Sequence, residues 1–269
     1  MPHRLYHSFC GRCLLKILTA PAISKMAGAF MNSGLSKPYI KKFIKDNNID
    51  MSDYKTENWS CFNDFFTRKL KPGKRTPDMH PDALISPCDG YLSAYKIGPD
   101  SKFTIKNSVY TIDELLQNKD LSIDYQDGLC LIFRLTPKDY HRYIYIDNGA
   151  KGKNIFIQGK LHTVRPVAFD KVKVFKTNSR EYTLLRTNNF DDVVFMEVGA
   201  MLVGKICNYH HSHNFRRGEE KGKFEFGGST IIMLLKKDTV CLNEEIYQAS
   251  INANETRVLL GEKIGCRSK

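Results

Sequence analysis

The stretch from Lys221 to Leu235 reads KGKFEFGGSTIIMLL. Polar and apolar residues alternate on its left and an apolar run follows on its right, so both halves carry strand pattern. Gly227-Gly228-Ser229 interrupts that pattern at its centre, where glycine weakens a ladder and leaves nothing to pack. A β-bulge or a close backbone approach is the ordinary reason for such an interruption. The chemical alternative is that the Gly228–Ser229 bond itself reacts. A serine after two glycines can attack the carbonyl that precedes it. Gly228 leaves that carbonyl unshielded and lets the backbone take the strained geometry of an N-to-O acyl shift.

Partners for such a serine exist elsewhere in the chain. Asp89 lies in ISPCDGYLSAY, where Asp-Gly reads first as a turn. His141 lies in RLTPKDYHRYIYIDNG, among Lys138, Asp139, Tyr140 and Arg142, and His162 lies in GKLHTVRP. A lone histidine is more often structural than catalytic. An acid, a histidine and a serine together are nevertheless the ingredients of an activated hydroxyl nucleophile. An ordinary serine hydrolase is disfavoured, because GGSTI lacks the G-x-S-x-G elbow between strand and helix. His210, His211 and His213 lack the H-x-x-x-H spacing of a helical ligand pair and sit in a segment that reads as loop. No metal site is assigned to them. Cys10 and Cys13 match C-x-x-C but have no second pair and no preceding strand, so neither zinc nor redox chemistry is assigned.

The elements that must position these groups fall into two textures. The first 80 residues read as helical: Tyr39, Ile40, Phe43 and Ile44 fall on one face, and Phe62, Phe65 and Phe66 on another. Residues 71–82, KPGKRTPDMHPD, read as a connector. Beyond it strand pattern dominates, near 84–97, 129–136, 141–147, 153–157, 171–176, 181–187, 192–207, 223–235 and 238–243. One short helix at TIDELLQN has Thr111 as its cap. The expected fold is α+β, with a helical region over 1–80 followed by a mainly antiparallel, sandwich- or barrel-like β body over 81–269.

The chain has 269 residues, 42% of them hydrophobic, enough for a real core. Its 41 Lys and Arg against 29 acids give a net charge of +12, which favours an anionic partner. Nucleic acid is disfavoured, since the basic residues are scattered and no nucleic-acid-binding spacing is present. Several of the eight cysteines sit inside apolar strand-like runs, and no secretory signal is evident, so a reducing cytosol is expected. No run reaches the length of a spanning helix. Residues 13–31, CLLKILTAPAISKMAGAFM, read as two short amphipathic helices edged by Lys16 and Lys25. They suit either core docking or peripheral membrane contact.

FEFGGST, together with SPCDG, DYHRY and LHTVRP, resembles the phosphatidylserine decarboxylase proenzymes, a pyruvoyl-dependent family. The likeness runs from about residue 55 to about 240 and extends more loosely to the N-terminus. It implies a zymogen that cuts itself between Gly228 and Ser229, with Asp89 and a histidine activating the serine hydroxyl. Ser229 would become a pyruvoyl group heading a small chain of residues 229–269, which stays associated with the large chain 1–228. That group would form a Schiff base with phosphatidylserine and accept the electrons released as carbon dioxide leaves, giving phosphatidylethanolamine. An anionic lipid substrate suits both the positive charge and a peripheral place on the cytoplasmic face of the cell membrane. A homo-oligomer is left open.

The sequence departs from the family at one place. Many members carry H-R-x-H, whereas this chain has His141-Arg142-Tyr143-Ile144. His141 is therefore expected to serve alone, with His162 as the other candidate. Two alternatives accompany the decarboxylase reading: an uncleaved lipid-binding relative without activity, and a pyruvoyl decarboxylase of a soluble amino acid.

Overall fold

Strand Leu129–Leu135 is paired on both edges, to Ser229–Leu235 on one side and to Gly90–Lys96 on the other. It lies within a computed structural model that describes residues 21–56, 58–105, 108–160, 174–199, 205–226 and 229–268. The antiparallel sheet around it runs His213–Phe215, Gly149–Lys151, Arg180–Thr187, Asp192–Gly199, Ser229–Leu235, Leu129–Leu135, Gly90–Lys96, Thr256–Val258. Ile155–Ile157 also pairs with Arg180–Thr187. The sheet does not close into a barrel.

Alternation along the central strands feeds two cores. Leu131, Phe133, Leu135, Ile231 and Met233 enter one, while Cys130, Ile132, Ile232 and Leu234 enter the other. Burial on both faces is why LCLIF and IIMLL are continuous apolar runs. The first core is covered by helices Tyr39–Asp46 and Phe62–Phe66 and by two small sheets. One joins Ala83–Ile85, Lys263–Arg267 and Val240–Leu242, and the other joins Ile206–Asn208, Glu220–Phe224 and Arg142–Ile144. The second core lies under the hairpin Lys102–Ile105/Ser108–Thr111 and helices Ile112–Leu116 and Val174–Thr177.

Local chemistry sets the helix ends. Thr111 Oγ1 accepts from Glu114 N at 3.1 Å, the cap read from the sequence. At Phe62–Phe66, Cys61 Sγ accepts from Asp64 N at 3.4 Å while the Asp64 carboxylate accepts from Ser60 N at 2.9 Å, a reciprocal cap. Phe62, Phe65 and Phe66 are buried as their spacing suggests. Tyr39 is not: Ile40 faces the core and Tyr39 is 55% exposed. No helix among the described residues is long and apolar enough to cross a membrane.

Several strand boundaries differ from the pattern. The run 84–97 is two strands of different sheets, because residues 86–89 carry the chain across and Pro87 cannot donate to a ladder. The run 192–207 also divides, into Asp192–Gly199 and Ile206–Asn208. Val174–Thr177 is helical despite its β-favouring residues, since that turn drops Val174 and Phe175 into the second core. The run 223–235 is also two strands. Glu220–Phe224 belongs to a small sheet and Ser229–Leu235 to the central one, so Ser229 opens a strand rather than interrupting one.

The small sheet carrying Glu220–Phe224 is tied to the central sheet by an ion pair between Lys221 Nζ and Glu197 Oε1, both fully buried. Lys221 also donates to Asn208 Oδ1 at 2.7 Å, and Asn208 Nδ2 donates to Glu181 Oε1 at 2.9 Å. Burial pushes the Glu197 carboxyl up in pKa while Lys221 pulls it back. Removing one partner strands a charge, whereas removing both does not. Lys221→Met should lower the unfolding free energy by about 3–5 kcal/mol in urea titrations. Lys221→Met combined with Glu197→Leu should recover much of that loss, and a double variant no more stable than the single one would contradict this account.

Candidate active site

Three chain segments meet at the C-terminal end of strand Leu129–Leu135. Ser229 pairs with Leu135 on one edge and with Gly199 on its own other side. On the opposite edge Tyr91 pairs with Arg134, which brings Gly90 and Asp89 to the same end. A Cβ on Gly90 would sit 3.0 Å from the Arg134 carbonyl oxygen, so the glycine permits the close approach. His141 follows Leu135 by one short loop. Strand spacing sets the Ser229 backbone roughly 9–10 Å from the start of Gly90–Lys96. Ser229 shares parity with Ile231 and Met233, which places it on the face of the first core, where Phe66 lies.

His141 is fully buried, its ring 3.9 Å from the Phe66 ring centroid. Nδ1 lies 2.9 Å from the Asp139 carbonyl oxygen. A carbonyl only accepts, so the neutral imidazole carries its proton on Nδ1 and its lone pair on Nε2. Burial drives the His141 pKa down to about 4, with the Arg68 charge adding to the fall and Asp139 opposing it. The loop that orients the ring is itself held. Arg68 Nη2 donates to the carbonyls of Lys138 and Asp139 at 2.9 and 3.2 Å, and the Arg68 guanidinium lies 4.1 Å over the Tyr54 ring. The Asp139 carboxylate accepts from Thr136 N and Oγ1 at 2.6 and 2.7 Å, and Arg257 approaches its other oxygen at 2.7 Å. That last contact is an ion pair without hydrogen-bond alignment. Among the described residues His141 Nε2, Ser229 Oγ and Thr230 Oγ1 are buried and unpartnered.

Asp89 is a buried carboxylate rather than a turn residue. Arg75 forks onto it, with Nε 3.0 Å from Oδ1 and Nη2 3.1 Å from Oδ2, and Leu260 N donates to Oδ1 at 2.8 Å. Arg75 Nη1 continues to Asp53 Oδ2 at 2.9 Å. Burial works against the Arg75 charge, yet the two carboxylates hold its pKa above the ordinary value. Cys88 lies beside Asp89 and Asp139, and burial, with those charges, keeps its thiol protonated. No hydrogen bond joins Asp89 to His141 among the described residues, so the fold gathers the two at one end without linking them directly. Arg75 had been part of a connector in the sequence, where nothing distinguishes it from its basic neighbours.

The residues leading into Ser229 are anchored from two sides. Phe224 N donates to the His141 carbonyl at 2.9 Å, and Phe226 N donates to Asn63 Oδ1 at 2.9 Å. The Phe226 ring sits 4.8 Å from Phe62 and 5.2 Å from Phe66. Gly227, Gly228 and His162 lie outside the described residues, as do Cys10 and Cys13. Ile144, at the position where a second motif histidine would fall, is buried in the first core with its N donating to the Pro87 carbonyl at 3.0 Å.

The family model for phosphatidylserine decarboxylase matches residues 62–266. The chain belongs to the phosphatidylserine decarboxylase family. It is 46% identical over 262 residues to phosphatidylserine decarboxylase proenzyme 2 of Clostridium acetobutylicum, covering 97% of this chain and 90% of that protein. A phosphatidylserine decarboxylase proenzyme of Clostridium botulinum is 42% identical over 268 residues, with coverage of 97% and 91%. One from Ruminiclostridium cellulolyticum is 41% identical over 267 residues, with coverage of 97% and 89%. Asp89, His141 and Ser229 all fall within the matched span.

The buried neutral imidazole of this family member gives a pH signature. Its folded pKa of about 4 lies below its ordinary 6.5, so between those values the unfolded chain binds a proton that the folded chain does not. The stability it contributes is complete above pH 6.5 and is lost as pH falls towards 4, by on the order of 3 kcal/mol. Urea midpoints measured across this range should fall more steeply for the wild type than for His141→Asn. Parallel curves would show that the imidazole is not held neutral by burial.

Proposed function

We propose that this protein matures by cutting itself between Gly228 and Ser229 and then decarboxylates phosphatidylserine to phosphatidylethanolamine and carbon dioxide. One observation supports the reading: Ser229 Oγ and His141 Nε2, an acid–base pair in kind, are both buried without partners among the described residues at the same end of the sheet. The lone pair on His141 Nε2 takes the Ser229 Oγ proton as that oxygen adds to the Gly228 carbonyl, and the amide becomes an ester. Elimination across the Cα–Cβ bond of Ser229 then frees the Gly228 carboxylate, and hydrolysis of the resulting enamine releases ammonia and leaves a pyruvoyl terminus. Asp89, fixed by Arg75 at the same strand end, is the acid of the proposed relay. The pyruvoyl group supplies an electron sink for the decarboxylation.

The products of the cut have reason to stay together. Ser229–Leu235 would begin the small chain, and it is hydrogen-bonded on both edges to strands of the large one. Residues 1–80 serve as the membrane-facing region and 81–269 as the catalytic body. Met26 and Leu35 are 69% and 76% exposed, and Phe30 and Tyr39 lie beside them at a ring separation of 5.9 Å. Lys37, Lys41, Lys42 and Lys45 surround this patch. Each lysine near an anionic leaflet is worth about 1 kcal/mol of attraction, so a few hold the protein peripherally at the cytoplasmic face. A groove of about 360 Å3 beside that patch is lined by Phe30, Met31, Phe43, Phe62 and Phe226, with Lys42 and Asp46 on its wall. Its apolar wall suits an acyl chain better than a soluble amino acid.

Denaturing mass spectrometry of the purified protein tests the reading. The wild type should give two chains divided at Gly228 and Ser229, the smaller carrying a carbonyl that borohydride reduces. Ser229→Ala should give one uncut chain without activity, because a methyl group cannot attack a carbonyl. An uncut wild type would favour a lipid-binding relative without chemistry. Equal turnover of free serine and of phosphatidylserine vesicles would remove the lipid from the proposal.

A further inference from the structure

The cluster CNYHHSHNFRRGEEKG carries chemistry that the decarboxylase reading does not use. His210 lies in the loop after Ile206–Asn208, His213 begins the edge strand His213–Phe215, and Glu219 lies in the turn before Glu220–Phe224. The fold brings these three together, although no helical spacing relates them. Their donor atoms all lie within 4.8 Å of one another. We propose that His210, His213 and Glu219 form a binding site for a first-row divalent cation of the zinc, nickel and copper group.

The geometry is close to what such an ion requires. A tetrahedral ion bound at 2.0–2.1 Å holds neighbouring donor atoms about 3.4 Å apart. His213 Nε2 and His210 Nε2 lie 2.6 and 4.0 Å from Glu219 Oε1, values that bracket that separation. The imidazole rings stack at 3.8 Å with their planes 11° apart, which sets both beside Glu219, and taking up one ion would turn the rings out of that stack. The three side chains are 28%, 30% and 33% exposed, open enough for an ion to enter. Two nitrogen donors and one carboxylate select against calcium and magnesium, and three protein ligands leave a position for water.

The surroundings hold the ligands in place as supporting groups of a metal site do. Tyr145 Oη lies 3.2 Å from His210 Nδ1. Accepting the Nδ1 proton there leaves the His210 Nε2 lone pair facing Glu219. The Tyr145 ring, fully buried, stacks on Phe215 at 4.4 Å beneath the pair. Lys151 Nζ fixes the loop by donating to the His210 carbonyl at 2.7 Å, and Arg216 N donates to Glu219 Oε2 at 3.0 Å, so that Oε1, now hydrogen-bonded to His213 Nε2, is the oxygen an ion would take in exchange for that proton. A bound ion would therefore clamp the edge strand and the loop before it to the turn that opens Glu220–Phe224.

The test is a Zn2+ titration of the full-length protein after chelator dialysis, read by calorimetry and by thermal midpoint. Cys10→Ser/Cys13→Ser serves as the background, so that the C-x-x-C pair cannot contribute. One ion per chain should bind and raise the midpoint, Ni2+ should do the same, and Ca2+ should not. His213→Gln and His210→Gln, partly exposed positions that should fold normally, should each lose the site. Tyr145→Phe should weaken it roughly tenfold to a hundredfold while leaving all three ligands in place. Identical titrations of the wild type and both histidine variants, or a wild type that takes up no ion, would overturn the proposal. Its failure would leave the self-cleavage reading untouched, because neither readout depends on processing.

Discussion

The double pairing of strand Leu129–Leu135 is the constraint from which the site follows. Both of its edges are hydrogen-bonded and both of its faces are buried. A register slip of one residue would exchange Leu131, Phe133 and Leu135 for Cys130 and Ile132 in each core at once, so the register is strongly specified. Whatever lies at the end of the strand inherits that precision. Ser229 is set by its pairing with Leu135, Asp89 by the pairing of Tyr91 with Arg134, and His141 by the loop that leaves Leu135. Three residues far apart in sequence are positioned by one strand end rather than by a dedicated loop.

That strand end also concentrates polar groups the fold does not satisfy. An unpartnered buried donor or acceptor costs about 1–3 kcal/mol, and native proteins carry few of them. Among the described residues His141 Nε2, Ser229 Oγ and Thr230 Oγ1 are three such atoms at this end of the sheet. Around them, Asp89 has Arg75 and Leu260 N and one Asp139 oxygen has Thr136, while the other Asp139 oxygen and two Arg68 nitrogens are also buried without hydrogen-bond partners among the described residues. The distribution suits a site prepared to react, with burial also keeping the imidazole free of a proton at neutral pH.

The sequence disclosed the candidate triplet more readily than its setting. Ser229, His141 and Asp89 could be singled out because glycines before a serine, and acids or histidines beside apolar runs, stand out against their neighbours. The two cores were legible as LCLIF and IIMLL for the same reason. Arg75 was not, since a basic residue in a Pro- and Gly-rich connector looks solvated, and only the long-range return of that connector gives it Asp89. Asn63 was hidden inside an aromatic helix whose phenylalanines dominate the pattern. The short strands Gly149–Lys151 and, at the sheet edge beyond it, His213–Phe215 were missed too, because each forms where a neighbouring strand offers a free edge. Glu219 joined the histidines only once that edge and its turn were built. The misplaced centre of KGKFEFGGSTIIMLL has the same origin: local pattern cannot tell one long strand from two that belong to different sheets.

Ile144 shows how the strand framework limits what the site can contain. Its side chain lies in the first core and its N is committed to the Pro87 carbonyl, the residue before Cys88 and Asp89. A histidine there would have to bury a second imidazole within the same core and find a partner for its ring nitrogens. With isoleucine the first core stays apolar at this position. A single imidazole that is neutral and oriented by the Asp139 carbonyl is available as a base without a second histidine to share the task. The departure from the two-histidine motif thus leaves one imidazole here, which burial holds neutral.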